Sequence, residues 1–235
     1  MKRFLIFSLF TIVFFVNSFS QDKENEPTNE QTNKPTPIEK LAVLFPPSIL
    51  RSDFLLKQYL RSISFAALRT ANGDSASIDI IYLKAKEFSR DNTGIALLIS
   101  LLAVTDHFAF TIKIPVPYLS LQLPLPLTTE SKEEFTRRSK NLPEHFPHLF
   151  SSHSSFHHKD KLQHFFATAL VSYVFESKET ALQFGLAAEK GESEFVLDGA
   201  YDEEDLEMNR RGALFGNALL SDENIFPSQY FFHRK

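Results

Sequence analysis

A chain of 235 residues with 43% hydrophobic content carries enough apolar mass for one core, or one core with appendages. It has no Cys, which excludes disulfides, thiolate metal sites, thiol nucleophiles and the acylated Cys of a lipoprotein. A formal charge of −4, more acidic still once Lys2 and Arg3 are removed, argues against nucleic acid and anionic lipid surfaces as partners.

The first segment, residues 1–20, reads as a secretory signal. Lys2 and Arg3 form the positive region, Phe4 to Val16 the apolar region, and Ser18 and Ser20 the small residues before cleavage at Gln21. The apolar run is shorter than the ~20 residues of a spanning helix, so cleavage after Ser20 is the expectation, with an uncleaved N-terminal anchor as the alternative. No integral membrane span is expected after removal of the signal. Residues 21–37 are polar and proline-containing without an aliphatic residue, and read as a disordered linker. This organisation predicts a periplasmic or secreted protein.

Residues 38–150 are expected to form an N-terminal helical part with a short extended segment. After Pro46-Pro47-Ser48, the apolar residues Ile49, Leu56, Leu60, Ile63 and Ala67 fall at helical spacing, and Asn72-Gly73 is the expected stop. A second helix is predicted over about 77–89. The run Ile95 to Val104 predicts a buried helix, with a buried strand as the other reading. Between 108 and 127, Phe108, Phe110, Ile112 and Ile114 alternate with small or polar residues, predicting one short strand. Pro115, Pro117, Pro124 and Pro126 then exclude a central strand and predict an extended segment. Ser131 with Glu134 forms a capping-box pattern that opens a polar helix to Lys140. His145 to His158 reads as a loop rich in Ser and His.

Residues 151–235 are expected to hold three helices, over about 159–175, 179–195 and 202–220, with Asp198-Gly199 as the break before the third. The aromatic tail (Phe226, Tyr230, Phe231, Phe232) is expected to pack back as a cover. The fold class is therefore mainly α, a helical bundle with a short β or extended segment near 108–127.

These last helices carry the candidate chemistry. Asp160 and His164 are four apart on a helix whose other positions are mostly apolar, so His164 faces protein and Asp160 is placed to hold its imidazole. Taken alone, the pair also fits an acid at a helix N-terminus beside a satisfied core His. On the second helix Glu189 and Glu192 are three apart, one turn after Gly185. On the third, Asp205, Asn209, Gly212 and Gly216 are spaced four, three and four, which is one stripe. Gly inside a helix costs ~1 kcal/mol against Ala, so two on one stripe point to close approach of another helix. Asp160, His164, Glu189, Asp205 and Asn209 are thus expected to meet in a buried or half-buried polar cluster. Three roles stay open for it: structural, catalytic (acid/base work by these five), or metal-binding through His164, Glu189 and Asp205, with a divalent metal as the candidate cofactor. His153, His157 and His158 lack a paired metal-ligand spacing, and no phosphate loop, dinucleotide fingerprint or nucleophile elbow is present.

The pattern Asp-Lys-x-x-His, then Glu, then Asp-x-x-x-Asn-x-x-Gly-x-x-x-Gly, carried by Asp160, Lys161, His164, Glu189, Asp205, Asn209, Gly212 and Gly216, resembles the VanZ-like families and related small exported proteins of unknown function. It spans residues 160–216. The chain departs from the VanZ-like pattern in lacking several membrane helices and in having Glu192 where Gln is commoner. The resemblance implies no established chemistry. The functional expectation is an exported bacterial envelope protein whose cluster is structural or binds a cell-envelope component. The alternative is a metal-assisted or acid/base hydrolase acting on such a component.

Overall fold

The structure is a computed structural model that describes residues 47–105, 108–113, 120–124, 130–144, 146, 159–195 and 203–232, with backbone alone at 47–48, 109–113, 120–124, 159 and 191–195. The predicted signal, the linker and the His-rich stretch 147–158 lie outside the described residues, as do His145 and Asp198-Gly199. The described chain is mainly helical: α1 (Pro47–Leu60), α2 (Ile63–Phe88), α3 (Thr93–Ala103), α4 (Lys132–Asn141), α5 (Lys159–Phe175), α6 (Lys178–Phe195), α7 (Glu203–Ala218) and α8 (Pro227–Phe231). Two strands, β1 (Ala109–Lys113) and β2 (Ser120–Pro124), pair antiparallel with Ala109 opposite Pro124 and Lys113 opposite Ser120. Both are edges, the position a proline tolerates.

The first helical break differs from the expected one. It falls at Arg61-Ser62, where the Ser62 hydroxyl accepts the Phe65 N–H at 3.1 Å and caps α2. Gly73 does not stop the helix. It sits inside α2 at φ 81, in the left-handed region that only Gly enters cheaply, and the chain kinks and resumes. The Ser77 hydroxyl donates to the Gly73 carbonyl at 2.8 Å and meets one acceptor at the kink. The predicted second helix is therefore the far half of α2. Asn92 caps α3, its side chain accepting the Ile95 N–H, and α3 is buried along nearly its whole length, as its unbroken apolar run requires. The Ser131–Glu134 capping box opens α4 with both reciprocal bonds formed.

One hydrophobic core runs from Ile49 on α1 to Phe231 on α8. Aromatic rings tie its parts together. Phe165 of α5 stacks on Phe215 of α7 at 5.5 Å, Phe215 meets Tyr82 of α2 edge-on at 5.5 Å, and Phe231 meets Phe165 at 5.3 Å and Phe146 at 4.9 Å. Such pairs add ~1 kcal/mol each beyond their buried area. The tail is part of this core. Asp79 accepts from the Ser228 N–H at 2.8 Å and its hydroxyl at 2.6 Å, and the Arg211 guanidinium donates to the Phe231 carbonyl.

Candidate functional site

The α5–α6–α7 unit builds the site. The α5 and α7 helices run in the same direction, because their contacts advance together: Lys161 meets Asp205, His164 meets Asn209, Gly212 lies on Phe165 and Gly216 on Ala169. A Cβ at Gly212 would overlap the Phe165 carbonyl oxygen, and one at Gly216 the Ala169 carbonyl oxygen. The glycine stripe is thus a steric requirement of the α5–α7 seam. Gly185 on α6 makes a second notch, where a Cβ would lie 2.8 Å from the Asn209 side chain.

Four of the five predicted side chains converge in this seam. His164 is 1% exposed, Glu189 and Asp205 are 0% and Asn209 is 3%. His164 Nδ1 is 3.3 Å from Asn209 Oδ1 and 3.4 Å from Glu189 Oε1, while Nε2 is 3.5 Å from Asp205 Oδ1. One ligand atom from each of His164, Glu189 and Asp205 lies within 4.8 Å of the others, so the predicted metal-binding trio is brought together from three helices. Asp160 is buried one turn before His164. The ring nitrogens are directed to α6 and α7, in contact with Asn209, Glu189 and Asp205. The Glu192 backbone belongs to α6, and its side chain lies outside the described residues.

Lys161 is the member that sequence reasoning left out of the cluster. Its Nζ is buried and 2.5 Å from Asp205 Oδ1, with Glu204 3.8 Å away. A lysine near a helix start reads as a solvated cation; the signal that could have found it is its position three before His164 on the same face. Thr168, on the next turn, donates its hydroxyl to the His164 carbonyl at 2.8 Å. Arg210 and Arg211 do not enter the cluster. Both bond Glu207, at 2.8 and 2.7 Å, and the Arg210 bond and neighbouring Arg211 hold that carboxyl down to about 2.

A second buried charge set sits at the end of α3. Arg138, fully buried on the polar helix α4, donates to Glu130 at 2.6 Å and to the carbonyls of Ala103 and Thr105 at 2.6 and 2.9 Å. It satisfies acceptors left at the C-terminal end of α3.

Comparison of the chain with protein-family models, with curated proteins and with solved structures gives no match. Among the described residues, no helix is long and apolar enough to cross a membrane.

Proposed function

We propose that this chain is an exported cell-envelope protein, periplasmic or secreted, in which the buried cluster fixes the register of three packed helices. The carrying observation is that one carboxylate oxygen, Asp205 Oδ1, serves two groups from one face of α5: Lys161 Nζ at 2.5 Å and His164 Nε2 at 3.5 Å. The apolar part of the seam shares in fixing the register. Gly212 and Gly216 are four apart, and so are the Phe165 and Ala169 carbonyls on which they rest. A slide of one turn could still seat Gly216 on Phe165, but it would leave Ala169 without its glycine and separate the Phe165–Phe215 stack. The same slide would take Asp205 away from both Lys161 and His164, and an unpaired buried charge costs ~3–5 kcal/mol. Buried polar groups are best attested in this registry role. Export rests on the Lys2-Arg3 and Phe4–Val16 pattern, and the link to VanZ-like and related exported proteins on the eight motif positions.

Burial favours this reading over the hydrolase, whose reacting groups must meet substrate: His164, Glu189 and Asp205 are at most 1% exposed. Of the tail aromatics, Phe231 is 0% exposed within the core, whereas Phe226 is 37% exposed. The test is stability and location together. The protein is expected in the envelope or secreted fraction with Gln21 at its N-terminus. Asp205→Asn and His164→Ala are expected to lower Tm by roughly 6 °C or more, from the unpaired-charge cost and ~2–4 °C per kcal/mol at this chain length. Variants that keep the wild-type Tm while abolishing turnover of an envelope substrate would contradict the proposal.

A further inference from the structure

We propose that the same cluster takes a divalent cation, ligated by His164, Glu189 and Asp205, and that the Lys161 ammonium is the resident charge this ion displaces. The inference rests on the reading of the cluster as an inter-helix lock and names what can operate it. One imidazole nitrogen and two carboxylates from three helices are a borderline donor set suited to Zn²⁺ or Mn²⁺. Ligands around a tetrahedral ion with bonds near 2.1 Å stand roughly 3.4 Å apart. Here one ligand atom from each residue falls within 4.8 Å of the others; because Glu189 lies on the Nδ1 side of the ring (3.4 Å) and Asp205 on the Nε2 side (3.5 Å), one carboxylate has to swing towards the nitrogen that ligates. Closing the longest edge takes side-chain movement on the order of 1 Å.

A ligating imidazole usually gives its other N–H to an oxygen that fixes its tautomer. That oxygen is in place on the Nδ1 edge. With Nε2 as the ligand, Asn209 Oδ1 lies 3.3 Å from Nδ1 and can accept its N–H.

An independent observation points the same way. Asn209 is 3% exposed and turns its carboxamide oxygen towards the cluster, while its Nδ2 has no hydrogen-bond partner among the described residues. A buried donor left unmade is costly. An electropositive centre in the cluster stabilises this orientation of the amide, and the unmade N–H is free to donate to water or another oxygen on the ion. Lys161 also has somewhere to go. Glu204, 26% exposed and 3.8 Å from Nζ, can receive the ammonium as the ion arrives at Asp205.

The test uses the full chain without a His tag, stripped with chelator and titrated with Zn²⁺ and with Mn²⁺. Retained metal after dialysis and Tm are the readouts. We expect one ion per chain and a Tm that rises with ion concentration. Glu189→Gln, close in shape to the native residue, should lose both effects. Lys161→Met removes the competing charge and should bind at least about tenfold tighter. A variant with Ala at His153, His157 and His158 should bind as wild type does. No retained ion and no Tm shift in wild type and in Lys161→Met would overturn the proposal, as would binding that disappears with the three loop histidines. Stability of the stripped variants reads the lock separately. A lock without an ion leaves Asp205→Asn destabilised in chelator with no metal response, whereas failure of the lock itself leaves the stripped variants at wild-type Tm.

Discussion

At Gly212 and Gly216 the obstacle to any larger side chain is backbone, the carbonyls of Phe165 and Ala169, whereas at Gly185 it is the Asn209 side chain. Backbone cannot rotate out of the way, so Gly212→Ala and Gly216→Ala must spread α5 from α7. Each is expected to cost ~1–3 kcal/mol, the usual range for overpacking, and Gly185→Ala less. Urea denaturation of the three variants checks the order. Tyr82 makes a second prediction at this scale. Burial pushes its phenol above the usual 10, and the Glu223 carboxylate adds to the shift. The folded state therefore holds this proton where the unfolded chain releases it. Its stability contribution is complete below pH 10 and is lost as pH rises beyond that value. Tyr82→Phe should flatten the alkaline fall of Tm; an unchanged slope above pH 10 would refute this assignment.

Among the elements, α4 is the one whose role its composition hides. Its capping box and its polar surface are legible in Ser131-Lys132-Glu133-Glu134, and it reads as a solvated helix. Arg138 nonetheless turns inward to Glu130, Ala103 and Thr105 and holds the helix to the end of α3. Removing one partner of such a buried pair costs ~3–5 kcal/mol, so Arg138→Met should lower the urea midpoint sharply. Arg138→Lys should not restore it, because a point charge cannot reach the acid and two carbonyls together. The α1–α2 break was hidden for a related reason. Ser62 lies within a continuous amphipathic pattern, and only its bond to the Phe65 N–H marks it as a cap. Gly73 carried the stronger local signal, but tertiary packing lets α2 continue through it. Helices α5, α6 and α7 were legible almost to their ends, since long periodic runs with acids at their starts leave little choice.

For the whole molecule, the stripe of Asp205, Asn209, Gly212 and Gly216 announced a close helix contact by spacing alone, and the partner proved to be α5. The direction of that packing was not legible. It follows from the joint advance of Lys161–Asp205, His164–Asn209 and Gly212–Phe165, which are separated by more than forty positions each in the chain. Local pattern carries no information on which of two four-residue repeats will seat first. The polar contacts and the paired glycine seats resolve that choice together. The most direct measurement is a double-mutant cycle between Lys161 and Asp205, using Lys161→Met, Asp205→Asn and both, unfolded in urea with chelator present. Contacting buried charges should show a coupling of ~1–3 kcal/mol, the double variant losing that much less stability than the two single losses summed. Effects additive to within ~0.5 kcal/mol would mean the two side chains do not meet, and would contradict the lock.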